Sequence, residues 1–137
     1  VRIRRAHPKD LRAIKEIDPM AKRRGHLLKQ ALQERGLFVL VEKERLLAFA
    51  ILRRGFFERF FLELLLVHPD HRREGWGTRL IERMEKLAEA KGELWTSTNQ
   101  SNRTMKRLLH ARGYRQAGKI IGLDEGDPEL FFVKALR

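Results

Sequence analysis

The run "FFLELLLV", Phe60–Val67, followed at once by "HPDHRREGWGTRL", constrains the fold more than any other stretch. Apolar residues on both faces of so short a run predict a central strand covered on both sides. Pro69 ends it, and Leu80, Ile81, Met84, Leu87 and Ala88 then recur at the spacing of an amphipathic helix. Between strand and helix stand Arg72, Arg73, Gly75 and Gly77. A helix N-terminus carries unpaired N–H groups and a partial positive charge. It holds phosphate when the backbone can be approached, and glycines permit that approach. Arginines beside it can grip phosphate oxygens in a fork. A plain strand-to-helix connection, with glycines for tight turning, fits the spacing equally well. A dinucleotide fingerprint is excluded because the third glycine and the downstream ribose-binding acid are missing. A Walker loop is excluded because no Gly-Lys-Ser/Thr follows.

The rest of the chain alternates strands and helices. Val1–Arg5 reads as a strand, and Pro8-Lys9-Asp10 opens a helix with Leu11, Ile14 and Ile17 on one face, ended at Pro19. "GHLLKQALQERG" reads as a second helix with Gly36 as its stop. Leu37–Glu42 and Leu46–Arg53 form a hairpin around Lys43-Glu44-Arg45, and the chain turns again around Gly55. After the central strand and its helix, which Gly92 ends, come the strand "ELWTST", a helix from Asn102 to Arg112 stopped by Gly113, and the strand "YRQAGKIIGL". The acidic turn "DEGDPE" leads to a closing strand, "LFFVKAL". Residues 1–137 read as one domain without repeats or linkers.

The formal net charge of +12 favours anionic partners. The bases are spread along the chain and lie beside glutamates, and no recognition motif interleaves them with aromatics, so nucleic acid is not expected. Without cysteine there is neither a disulfide framework nor a thiolate site. The histidines lack metal-ligand spacing, so no metal is expected. No apolar run approaches a membrane span, and "VRIRRAHPKD" has no apolar core of a signal peptide; a cytoplasmic location is expected.

Val67, Pro69, Arg72, Gly75 and Gly77 together resemble motif A of the GNAT superfamily of N-acetyltransferases. Thirty residues on, "SNRTMKRLLHARGY" looks like its motif B, with Asn102 opening a helix that ends in Gly113-Tyr114. The resemblance covers essentially the whole chain. It implies an α/β fold of the α+β type: a mixed, largely antiparallel sheet of six to seven strands, helices on both faces, and splayed central strands. It implies acetyl-coenzyme A as donor and a small-molecule or protein amine as acceptor. By that likeness the backbone of Leu65, Leu66 and Val67 meets the pantetheine arm. The loop Arg72, Arg73, Glu74, Gly75, Trp76, Gly77 and Thr78 holds the pyrophosphate, and Asn102 contacts the arm or the phosphate side. Trp76 is tolerated there because only its backbone N–H is needed.

Glu63 is the candidate general base. Strand alternation sets it with Phe61, Leu65 and Val67, where poor hydration would raise its pKa. Pairing with one of the many arginines is the alternative. The backbone N–H of Leu66 or Val67 is the oxyanion donor the likeness implies. The tyrosine that usually protonates the leaving thiolate is replaced by Leu109, which has no proton to give. A weak coenzyme-binding module of the same fold is therefore the second reading. His110 is expected on the surface and Tyr114 in the core. Ser97 and Asn99, at the end of the fifth strand, and Asp124 and Asp127, in the acidic turn, are candidate acceptor contacts, or they simply satisfy a strand end and a turn. "GFFERFF" could expose an aromatic patch for a homodimer.

Overall fold

The computed structural model describes residues 1–137. The elements are β1 (Arg2–Arg5), α1 (Leu11–Ile17), α2 (Ala21–Gln33), β2 (Leu37–Glu42), β3 (Arg45–Phe56), β4 (Arg59–Val67), α3 (Trp76–Ala88), β5 (Glu93–Asn99), α4 (Arg103–Ala111), β6 (Arg115–Ile120) and β7 (Glu129–Ala135). The strands form one seven-stranded sheet in the order β1-β2-β3-β4-β5-β7-β6. The β1–β2, β2–β3, β5–β7 and β6–β7 ladders are antiparallel, and β4–β5 is parallel. The mixed, mostly antiparallel sheet is the expected one. By contacts the chain divides into two compact units, Val1–Arg53 with Glu63–Met84, and Arg54–Leu62 with Glu85–Arg137.

In the first unit, alternation along β2 and β3 sorts the core. Leu37, Val39, Phe49 and Ile51 join Ile14, Ile17, Leu28 and Ala31 of α1 and α2 in one cluster. The intervening Phe38, Leu40, Ala48 and Ala50 are buried as well, so both faces of β2 and β3 are covered. Helix α2 begins at Ala21, earlier than the reading from Gly25. Asp18 accounts for the earlier start: its Oδ1 accepts from the Met20 N–H at 2.9 Å and from the Arg24 guanidinium at 2.7 Å. A carboxylate just before a helix also suits the positive end of its dipole. Gly36 follows Arg35, whose φ of 60° unwinds the chain, and a Cβ at Gly36 would collide with the Leu52 carbonyl oxygen. Glycine there lets β3 approach closely.

β4 is central, as read, but not covered on both sides. Leu62 is its one buried residue. Leu64 and Leu66 pack against the α1–α2 cluster, while Glu63 and Leu65 stay half-exposed. A leucine-rich run cannot by itself distinguish two covered faces from one.

In the second unit, β4 pairs with β5 at Phe61–Trp95 and Leu62–Thr96, and the Thr96 hydroxyl donates to the Leu62 carbonyl at 2.8 Å. The turn before β4 falls at Phe57-Glu58 rather than at Gly55, which lies inside β3. Both turn residues take left-handed φ, 53° and 66°, a hairpin geometry that usually recruits Asn-Gly. Leu94, Thr96 and Thr98 alternate inward, with Leu109, Leu130 and Phe132 buried in the same unit. Glu85 is buried and polar: its carboxylate accepts from Arg112 at 2.7 Å, from the Tyr114 hydroxyl at 2.8 Å and from Lys134 at 3.2 Å.

Candidate active site

The end of β4, the loop after it and the first turn of α3 lie in the first unit. His68 N–H donates to the Leu47 carbonyl at 2.7 Å, which ties the strand end to β3. Pro69–His71 then make one 3-10 turn, capped by His68 Nδ1 accepting from the Asp70 N–H at 3.0 Å. The Arg72 guanidinium donates back to the Val67 carbonyl at 3.4 Å. Arg73 and Gly75 both take left-handed φ, 63° and 88°. This geometry turns the chain sharply into α3, whose first regular bond runs from Arg79 N–H to the Gly75 carbonyl at 3.1 Å.

Gly75 has nothing within 4 Å of where a Cβ would sit. Its neighbours Arg72, Arg73 and Glu74 are exposed, whereas Trp76, Gly77 and Thr78 are half-buried. A phosphate group can therefore approach the unpaired N–H groups of the first turn, with two guanidinium groups beside it. The residues present fit the diphosphate of a coenzyme.

One network in this loop escaped the sequence reading. Glu74 Oε1 accepts from the Trp76 indole N–H at 2.7 Å and lies 3.3 Å from His71 Nδ1. The indole hydrogen bond holds the Glu74 carboxyl below its ordinary range, with His71 adding to it. The Trp76 ring thus fixes an acid that would otherwise be free to turn toward an anion. The His-x-x-Glu spacing of residues 71 and 74 was the available signal.

Glu63 does not lie in the apolar enclosure its neighbours suggested. Its side chain is 30% exposed, and Oε1 accepts from Arg53 at 3.1 Å. Arg53 also reaches Glu34 at the end of α2, at 3.8 Å. Arg53 thus pairs with one carboxylate oxygen of Glu63 and orients it.

The remaining candidates lie in the second unit. Asn102 caps α4, its Oδ1 accepting from the Met105 N–H at 3.0 Å. Leu109 is fully buried, Tyr114 is buried, and His110 is exposed, edge-on to Phe132. Burial, reinforced by Glu85, pushes the Tyr114 phenol up, so it stays a proton donor. Ser97 and Asn99 meet acids of β7 and of the β6–β7 loop: Ser97 Oγ donates to Glu129, the first residue of β7, at 2.7 Å, and Asn99 Nδ2 to Asp124 of the loop at 2.9 Å. Asp127 accepts from the Ser101 N–H and hydroxyl. These polar residues are brought together and fasten the loop to the end of β5. No group of histidines and acids in the structure has the arrangement of a metal site, and no helix is long and apolar enough to cross a membrane.

Comparison with known proteins adds the family. No curated protein sequence matches the chain. A GNAT-family acetyltransferase from Bacillus cereus ATCC 10987 is 29% identical, with 99% of this chain and 97% of that one covered and a TM-score of 0.90. The ribosomal-protein-S18-alanine N-acetyltransferase of Escherichia coli matches at 21% identity over 98% and 93%, with a TM-score of 0.81. The yncA protein of Salmonella typhimurium, with its cofactor acetyl-CoA, matches at 23% over 99% and 94%, with a TM-score of 0.77. The model of the acetyltransferase (GNAT) family matches residues 2–114, which takes in the β4 strand, the glycine loop and the helix opened by Asn102. The chain therefore belongs to the acetyltransferase (GNAT) family and is an acyltransferase with acetyl-CoA as donor.

Proposed function

We propose that the protein transfers acetyl from acetyl-CoA to a primary amine of a small molecule or a protein, with Glu63 as the acceptor-side base. The observation that carries this reading is the open N-terminus of α3, where Gly75 leaves the backbone bare beside Arg72 and Arg73. In this reading residues Arg72 to Thr78 hold the diphosphate. The backbone of Leu65, Leu66 and Val67 runs along the pantetheine arm, and Asn102 offers its remaining Nδ2 donors. Bound acetyl-CoA supplies a thioester carbonyl and a good leaving group. The acceptor nitrogen bonds to the acetyl carbon, the carbon–sulfur bond breaks, and the nitrogen gives up a proton.

Glu63 receives that proton. Arg53 holds Oε1, which leaves Oε2 for the acceptor. The Val67 N–H is the donor assigned to the carbonyl oxygen as it gains charge. The chain uses no side-chain acid at the Leu109 position, since that side chain is fully buried as well as apolar. A thiolate is a good leaving group and departs without one. The same buried leucine favours a second reading, a coenzyme-binding module with little turnover.

Calorimetry with acetyl-CoA, followed by thiol release across an amine panel, separates them. The panel includes a peptide beginning with alanine, because the Escherichia coli structure is named for such an acceptor. Binding with turnover is expected, and Glu63→Gln slows kcat by about a hundredfold or more at unchanged acetyl-CoA affinity. Binding without thiol release selects the second reading, and no binding removes both. An unchanged kcat removes Glu63 as the base.

A further inference from the structure

The second unit carries a sheet face lined by aromatic rings that its helix does not cover. Phe56 stacks on Phe61 at 4.6 Å between ring centres, meets Phe57 edge-on at 5.1 Å and lies 5.7 Å from Trp95. Phe131 lies 6.1 Å from Phe56 and 6.0 Å from Phe61. None of the five rings is buried, and Phe57 is 77% exposed. Their sequence positions explain the shared face. Phe61 pairs with Trp95 and Ser97 with Phe131, while Leu94, Thr96, Leu130 and Phe132 alternate to the opposite, buried face.

The face changes character along its length. Two residues before Phe131, and so on the same side, stands Glu129, joined to Ser97. Asn99, opposite Glu129, leads to Asp124 and to the Asp127 carbonyl. In a chain of net charge +12, the carboxylates of Asp124, Asp127 and Glu129 accept hydrogen bonds from Asn99, Ser101 and Ser97, all neutral. One end of the face is therefore aromatic, and the other holds negative charge without a cation. Residues two apart on a strand are separated by about 7 Å. A ring joined to an ammonium group by two methylene carbons, with a carboxylate oxygen one hydrogen bond beyond, spans about the same length.

We infer that this face binds the acceptor and selects a small primary amine carrying an aromatic ring, an arylalkylammonium, with its ring on Phe56, Phe61 and Phe131 and its charge toward Glu129. The inference rests on the acetyl-transfer reading for its catalytic meaning, but the binding surface stands independently of turnover. Ring stacking supplies selectivity for the ring, and the unneutralised carboxylate supplies selectivity for the cation.

Trp95 reports directly on the face. The chain has two tryptophans, so Trp76→Phe leaves Trp95 as the single indole. 2-Phenylethylamine is titrated against its fluorescence, beside ethylamine, which lacks the ring, and 2-phenylethanol, which lacks the charge. Half-saturation by 2-phenylethylamine is expected at a concentration about tenfold below that for either comparator. Glu129→Gln, which can still accept from Ser97, weakens it about fivefold, as does Phe131→Leu, which keeps the position apolar. In the full enzyme the same two variants raise KM for 2-phenylethylamine and leave KM for acetyl-CoA unchanged. Equal response to ethylamine, or no response of Trp95, overturns the inference. Preference for a peptide beginning with phenylalanine over 2-phenylethylamine overturns the small-molecule assignment. A homodimer on sedimentation that Phe57→Ser dissociates assigns the face to a second copy and likewise overturns it. A Trp95 response to 2-phenylethylamine without thiol release from any amine keeps the surface and refutes acetyl transfer.

Discussion

Glu85→Gln removes one charge and keeps the shape, and its cost can be worked from the neighbours. The carboxylate, with its side chain 9% exposed, satisfies three donors: Arg112, Lys134 and the Tyr114 hydroxyl. A glutamine oxygen can face only one side of that set, Arg112 or else Lys134 with Tyr114, and its amide then faces the other side. Removing one partner of a buried ion pair costs about 3–5 kcal/mol. Arg112 and Lys134 retain 25% and 22% exposure and recover part of their hydration, so the lower end applies. The buried Tyr114 hydroxyl cannot recover in that way and contributes about 1 kcal/mol or more of that cost. The expected loss is about 3 kcal/mol. For a chain of this length the unfolding entropy near Tm is about 0.3 kcal/mol per kelvin, so Tm falls by about 10 °C. Differential scanning calorimetry reads the shift, and a cycle with Tyr114→Phe apportions it. Where the hydroxyl is the orphan, Tyr114→Phe costs about 1 kcal/mol less in the Glu85→Gln protein than in the parent. A Tm within about 3 °C of the parent, or strict additivity in the cycle, refutes the reasoning.

Gly75→Val places a branched side chain at φ +88° on the bare backbone; acetyl-CoA affinity is expected to fall at least about tenfold by calorimetry, with most of the stability retained. Leu109→Tyr restores the family's acid but overfills a fully buried site; a loss of about 1–3 kcal/mol in denaturant titration and no gain in kcat are expected. At Asp10, burial raises the carboxyl, but hydrogen bonds from Arg4 and the His7 N–H outweigh it, so the folded value lies below the ordinary 3.8. Its contribution is therefore complete above the unfolded value and is lost as pH falls through the folded one. Arg4→Met should lower Tm at pH 7 and much less near pH 2, as read by calorimetry at the two pH values.

The parts of the fold legible in the sequence were those written in short periods. Leu80, Ile81, Met84 and Ala88 announce α3, and the apolar runs on either side of Lys43-Glu44-Arg45 announce the β2–β3 hairpin. Positions where one interaction overrode local preference were misplaced. Gly55 reads as a turn, yet the turn is made by Phe57-Glu58 against their own φ preference, next to rings that pack on Phe57. Gly25 reads as a helix start, yet Asp18 begins the helix at Ala21 and Gly25 is carried inside it. The site divides in the same way. The glycines and arginines of the loop are contiguous, so their spacing could be read. Ser97 with Glu129 and Glu85 with Lys134 are 32 and 49 residues apart, and only a strand register or a helix position brings them together.

Two groups of acids differ in their partners, and the difference gives the net charge a meaning. Asp10, Asp18, Glu63, Glu85 and Glu93 each hold an arginine, and four of those five acids also accept from a further donor or cation. These pairs neutralise equal numbers of both signs, so they leave the excess of 12 positive charges untouched. The excess sits on exposed bases, among them Arg72, Arg73 and Arg79 around the start of α3. A multiply charged phosphate ligand is drawn to such a surface with a rate that salt suppresses. A nucleic-acid footprint needs bases aligned on one face and aromatics interleaved with them. The aromatic cluster here is adjoined instead by carboxylates without cations, which repel a phosphate backbone and attract an amine. The two charge regimes thus suit two different ligands, an anionic donor at the glycine loop and a cationic acceptor at the aromatic face.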